Sequence, residues 1–224
     1  MTKHFRLLFI VISLILATVF ITGCDSDNED NSKRQTNILA DVTFFSSLPY
    51  TSETLGYWSE DSFIRFYPKA TPPFSLLVIT RNNEGKAALK KIADAEETAI
   101  EQIYQLNDSV YLVSSSLYFE SPLFYVSNSY RTNEMEKDSY PILILPKIIV
   151  KMKSGGDVST IKEKYKNKMT YNPDSQTLLQ LGVTIFDSNL GNSNDLLKLI
   201  EEIGQNENVA WAESDNLGGY YSFF

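Results

Sequence analysis

Two residue types that carry most side-chain chemistry occur once each in this 224-residue chain: the histidine is His4 and the cysteine is Cys24. Both lie in the first 24 residues, so the body of the chain has neither imidazole nor thiol. If His4 is cut off and Cys24 lipidated, as expected below, that excludes Ser-His-Asp and Cys-His nucleophilic catalysis in cis. It excludes His- or Cys-ligated zinc, His- or Cys-ligated haem and any disulfide in the same stroke. Carboxylates are abundant, 28 Asp and Glu in all, but no spacing singles out an acid–base pair. Nucleotide-binding glycine loops and the G-x-S-x-G elbow are absent from the sequence. We therefore expect no enzyme and no cofactor. What remains is Cys24 itself, placed after Ile21, Thr22 and Gly23.

The segment before Cys24 is built to position it. A short basic head with Lys3 and Arg6 precedes an apolar run from Leu7 to Phe20. Fourteen residues fall short of the roughly 20 that span a bilayer, and suit the h-region of a signal peptide. With Ile21, Thr22, Gly23 and Cys24 closing it, the segment resembles the signal and lipobox of bacterial lipoproteins. The resemblance implies cleavage after Gly23, diacylglyceryl attachment to Cys24 and acylation (typically palmitate) of the new amine. Two or three acyl chains anchor stably to a membrane. Cleavage removes Lys3 and Arg6, leaving 18 basic and 28 acidic residues, a net charge of −10. Nucleic acid and anionic lipid are poor partners for such a chain. Residues 24–37 are polar, with four acids in the six residues after Cys24, and are expected to be a disordered tether. The acidic run resembles the export signal of surface lipoproteins in the Bacteroidetes, implying an outer-membrane and surface location. A plain solvated linker is the alternative.

The remainder, 38–140 and 141–224, reads as α+β. In the first part Tyr57–Trp58 and Phe63–Tyr67 suggest a hairpin. Ser75–Thr80 reads as a buried strand, Lys86–Gln105 as an amphipathic helix and Val110–Ser115 as another strand. In the second part Ile142–Lys153 reads as one long strand, or two split at Pro146. A helix capped by Asp157 follows, then a short strand at Lys168–Tyr171 and a strand over Leu178–Phe186. A helix over Asp195–Ile203 and a strand over Val209–Glu213 complete the chain. On that last strand Val209, Trp211 and Glu213 are expected on one face, with Trp211 in the core. The order β-α-β-β-α-β is that of the ferredoxin-like split βαβ arrangement. The β-rich N-terminal part reads as a candidate degenerate copy, Ser75–Ile79 matching Ile148–Met152 and Val110–Ser114 matching Leu181–Ile185. The lysines at 151, 153, 162, 164, 166 and 168 are expected on a solvated face.

The run from Pro146 to Val158 and the stretch Leu196–Glu213, closing on Val209-Ala210-Trp211-Ala212-Glu213, resemble the opening and closing motifs of subtilisin-family propeptides. Ser214 stands where that family carries Pro. The resemblance covers roughly 146–215. It implies a sheet that packs on a subtilisin-like serine peptidase and a C-terminal tail that enters the substrate cleft by strand addition. The residues it would place against a peptidase are Glu213, Leu217, Gly218, Gly219, Tyr220, Tyr221, Phe223 and Phe224. The alternative is that the terminal aromatics fold back onto the domain. The function expected is binding of a subtilisin-like peptidase in trans, as inhibitor or folding chaperone. A non-enzymatic surface-binding or structural lipoprotein is the other reading.

Overall fold

The computed structural model describes residues 41–49, 54–59, 61–94, 100–133, 141–173, 178 and 181–217. The residues expected to form a lipobox and an acidic tether, and residues 218–224, lie outside them. The strands of the first half are β1 (Thr43–Phe45), β2 (Leu55–Ser59), β3 (Ser62–Pro68), β4 (Phe74–Thr80), β5 (Ile100–Gln105), β6 (Val110–Ser115), β7 (Tyr118–Glu120), β8 (Phe124–Ser127) and β9 (Ser129–Thr132), with helix α1 (Asn83–Asp94) between β4 and β5. The second half runs β10 (Ile142–Met152), α2 (Val158–Tyr165), β11 (Met169–Tyr171), β12 (Val183–Ser188), α3 (Ser193–Gly204) and β13 (Val209–Leu217). The class is α+β, mostly strand.

Local chemistry explains most element ends. The Asp157 carboxylate accepts from Ser159 N at 2.8 Å and caps α2. The Asn192 side chain accepts from Asp195 N at 2.8 Å and caps α3. Gly155 adopts φ 79° in the turn that leads from β10 to α2, a conformation costly for any other residue. Strand β10 runs unbroken through Pro146, which falls in the gap of the β13 ladder between Ile144 and Ile148.

The expected helix over Lys86–Gln105 is corrected at both ends. Asn82 accepts from Gly85 N at 2.9 Å, so α1 begins earlier, at Asn83. It ends at Asp94, and Ile100–Gln105 forms strand β5 against β6. The cause lies downstream. Asn107 Oδ1 accepts from Ser109 N and Val110 N, both at 3.0 Å, and Leu106 N donates to Val110 O at 2.8 Å. This reversal lays 100–105 alongside β6, where ladder bonds outweigh helical spacing. Strand β12 likewise starts at Val183, later than Leu178, and β13 continues to Leu217, beyond Glu213.

Two sheets carry the architecture. One orders its strands β5-β6-β4-β8, and the other β11-β12-β10-β9-β3-β2, with β13 on the opposite edge of β10. Within the second half the order is therefore β11-β12-β10-β13, antiparallel throughout. Both orders place the second strand of their run outermost, then the third, the first and the fourth. A helix joins the first and second strands in each. Between the third and fourth, the second half has α3, whereas the first has only β7, which pairs with β1.

The described residues form one compact unit. The boundary expected near residue 140 separates two runs of topology, not two bodies, since β9 pairs with β10 across it. One apolar cluster packs α2 and α3 on the second sheet through Ile148, Val150, Ile161, Leu196, Ile200 and Ala212, among others. Another seats α1 on β4 through Ala88, Leu89, Ile92, Leu76 and Val78. A third joins the halves, with Leu77 and Leu112 meeting Leu143, Leu145 and Leu217.

A candidate protein-docking face

The alternation of β10 divides its side chains cleanly. Ile148 and Val150 are buried beneath α2 and α3, while Lys147, Ile149 and Lys151 turn to the other face and are half-buried. The ladders carry this division across the sheet. Ile149 stands opposite Ile185 on β12 and Glu213 on β13. Lys151 stands opposite Val183 and Trp211, and Lys147 opposite Asp187. The result is a four-stranded face with an aliphatic and aromatic centre, Ile149, Ile185, Val183 and Trp211, and charges of both signs around it. The equivalent face of the first sheet, opposite α1, carries Leu77 and Leu112 and is covered by Leu143, Leu145 and Leu217 of the same chain.

The expected faces of β13 are corrected. Met152 pairs with Val209 and Lys151 with Trp211, so Ala210 is an extra residue on β13, a bulge that reverses the alternation. Val209, Ala212 and Ser214 consequently point to the helices and are buried. Trp211 leaves the core expected for it and is half-buried on the open face, beside Glu213.

Glu213 Oε2 accepts from Ser59 Oγ on β2 at 3.3 Å. One residue on, Ser214 Oγ donates to Tyr57 Oη at 3.4 Å. Strands β3, β9 and β10 separate β2 from β13 in the ladder, a span of roughly 15–20 Å in a flat sheet. These bonds thus require the sheet to curl until β2 meets β13. Burial at this junction pushes the Tyr57 phenol up. Leu217 is the last rung of β13, opposite Leu143, and packs on the third apolar cluster. Its backbone and side chain are engaged within the chain. Of the expected peptidase contacts, Glu213 and Leu217 share β13 but serve different surroundings, and Gly218, Gly219, Tyr220, Tyr221, Phe223 and Phe224 lie outside the described residues. So do Ile21, Thr22, Gly23 and Cys24.

Elsewhere the lysine cluster is largely taken up in pairs. Lys164 and Lys168 lie 3.5 and 3.6 Å from the Glu202 carboxylate, Lys166 bonds Glu163, and Lys162 sits 3.9 Å from the Tyr171 ring centre. The fold also collects three carboxylates that no spacing signalled, Asp41, Glu120 and Asp195, around an open cleft of about 300 Å³. Glu120 accepts from Tyr118 Oη at 3.1 Å, and partial burial raises its carboxyl above the ordinary range. Among the described residues no group of three or more His, Cys, Asp or Glu is placed to hold a metal ion. No helix of the described residues is long and apolar enough to cross a membrane. No family model, curated protein or solved structure matches the chain.

Proposed function

We propose that this chain is a lipid-anchored envelope protein that binds a subtilisin-like serine peptidase in trans, as a propeptide-like inhibitor or folding chaperone. In this reading residues 146–217 are a ferredoxin-like split βαβ module, residues 74–127 are its degenerate copy lacking the second helix, and Cys24 carries the anchor. One observation supports it most. The face of the β11-β12-β10-β13 sheet opposite the helices presents Ile149, Ile185 and Trp211 within a ring formed by Lys147, Lys151, Asp187 and Glu213. An apolar centre with a charged rim is the composition of a protein-binding patch. The peptidase's own apolar surface would cover that centre, and its backbone amides would meet Glu213.

The second reading is a surface-binding or structural lipoprotein that keeps the fold without inhibition. The pairing of Leu217 with Leu143 favours it, because it holds a residue expected in the tail within the chain's own sheet. Titration of the unit from Ile38 onward against subtilisin separates the two. Tight inhibition that disappears on removal of 218–224 supports a tail acting in the cleft. Inhibition that survives truncation but is lost in Ile149→Glu assigns binding to the sheet face alone. Digestion by subtilisin without inhibition leaves the second reading.

A further inference from the structure

A separate surface lies at the edge of the first sheet that no strand pairs with among the described residues. Strand β5 is outermost there, and Glu101–Gln105 are all exposed. Leu106 N bonds Val110 O, and the register runs Gln105–Tyr111, Tyr104–Leu112, Ile103–Val113. Antiparallel alternation then turns the backbone N–H and C=O of Tyr104 inward to β6 and those of Ile103 and Gln105 outward. Beside this edge α1 and β5 enclose a groove of about 330 Å³, lined by Leu89, Ala93, Ile103 and Tyr111 and rimmed by Lys86, Lys90 and Asp94. Three large apolar side chains stand exposed on the strand and its turn: Ile103, Tyr104 and Leu106.

We propose that the β5 edge and the α1 groove bind an extended, acidic peptide segment of a partner protein by strand addition. The outward backbone groups of Ile103 and Gln105 would pair with its main chain. Alternate side chains would enter the groove, and its carboxylates would meet Lys86 and Lys90. Neither lysine is in an ion pair among the described residues. The lysines also choose the occupant. Two copies pairing β5 with β5 antiparallel about a twofold axis would set both α1 helices on one face of the joined sheet, each with two lysines and one aspartate on this rim. An acidic segment neutralises the same rim, Asp94 notwithstanding. An unprotected edge of this kind otherwise invites aggregation.

The test uses the full chain in detergent and a fluorescein-labelled octapeptide alternating Glu and Val, with a Lys/Val counterpart. Saturable binding of the Glu/Val peptide is expected, weakened at least about tenfold in the Lys86→Glu, Lys90→Glu double variant. That variant should prefer the Lys/Val peptide. Gln105→Pro removes one outward N–H and should abolish binding of both, with an unchanged circular dichroism spectrum. Equal binding of the two peptides to the parent chain, or binding insensitive to the charge reversal, overturns the proposal. A dimer that Gln105→Pro makes monomeric also overturns it, assigning the edge to a second copy. Binding that appears only after deletion of 218–224 assigns the edge to the chain's own tail. Inhibition of a peptidase through Ile149 and Trp211 should be indifferent to all these α1 and β5 variants, so the two proposals fail separately.

Discussion

The Tyr130 hydroxyl lies 2.6 Å from Ser193 Oγ and donates to Asn194 Oδ1 at 2.7 Å, joining β9 of the first half to the start of α3 in the second. All three residues are buried. Ser193 Oγ accepts from Asn128 N at 3.3 Å, and Val126 N donates to Gly191 O at 2.9 Å, so the junction is a connected polar network. Burial drives the Tyr130 phenol far above its usual range, which keeps it neutral and able to donate.

Removing that hydroxyl should loosen both halves together. Tyr130→Phe leaves the buried Asn194 Oδ1 acceptor and the Ser193 hydroxyl donor without their Tyr130 partner and should cost about 1–3 kcal/mol. Denaturant unfolding should remain a single transition, coincident by fluorescence and circular dichroism. Separate transitions for the two halves would show that the shared sheet and this network do not make one cooperative unit.

The bulge at Ala210 predicts opposite responses from neighbouring residues. Ala212→Leu adds volume beneath the helices, where Ala212 is fully buried, and should destabilise by about 1–3 kcal/mol. Trp211→Ala, on the open face, should cost less than about 1 kcal/mol and yet weaken peptidase binding about tenfold or more. Thermal melts and inhibition titrations on the same preparations check both. A large stability loss in Trp211→Ala would return this residue to the core.

Glu120 makes stability depend on pH. Burial is the main cause of its raised carboxyl; the Tyr118 bond opposes the shift and Asp195 adds to it. The folded state therefore holds the proton to a higher pH than the unfolded chain does. The sign follows: stability falls as pH rises from the unfolded carboxyl value through the raised folded one, and the loss persists at neutral pH. Glu120→Gln should flatten this segment of the stability–pH curve and match or exceed the parent at pH 7. Urea midpoints measured across the mildly acidic range decide the matter, and a variant that loses stability at pH 7 contradicts it.

Cys24→Ser tests the anchor. The parent chain should incorporate labelled palmitate and sediment with membranes, and the variant should do neither. Palmitate in the variant, or unchanged sedimentation, would show that something other than Cys24 holds the chain to the membrane.

The sequence alone determined what short-range chemistry decides. Apolar runs located β4, β6 and β10, Asp157 marked the start of α2, and the single His and Cys both fall within the first 24 residues. It located β5 wrongly because Ile100, Ile103 and Tyr104 satisfy helical spacing as well as an edge strand does; the Asn107 reversal and the waiting β6 settled it. It put Trp211 in the core because a one-residue bulge is invisible to a period-two reading, and one extra residue moves every later side chain to the other face. Only the tertiary structure brought Glu213 to Ser59, 154 residues apart, and Asp41 near Glu120 and Asp195. Such contacts depend on sheet order and curl, which arise from long-range pairing that no local pattern encodes.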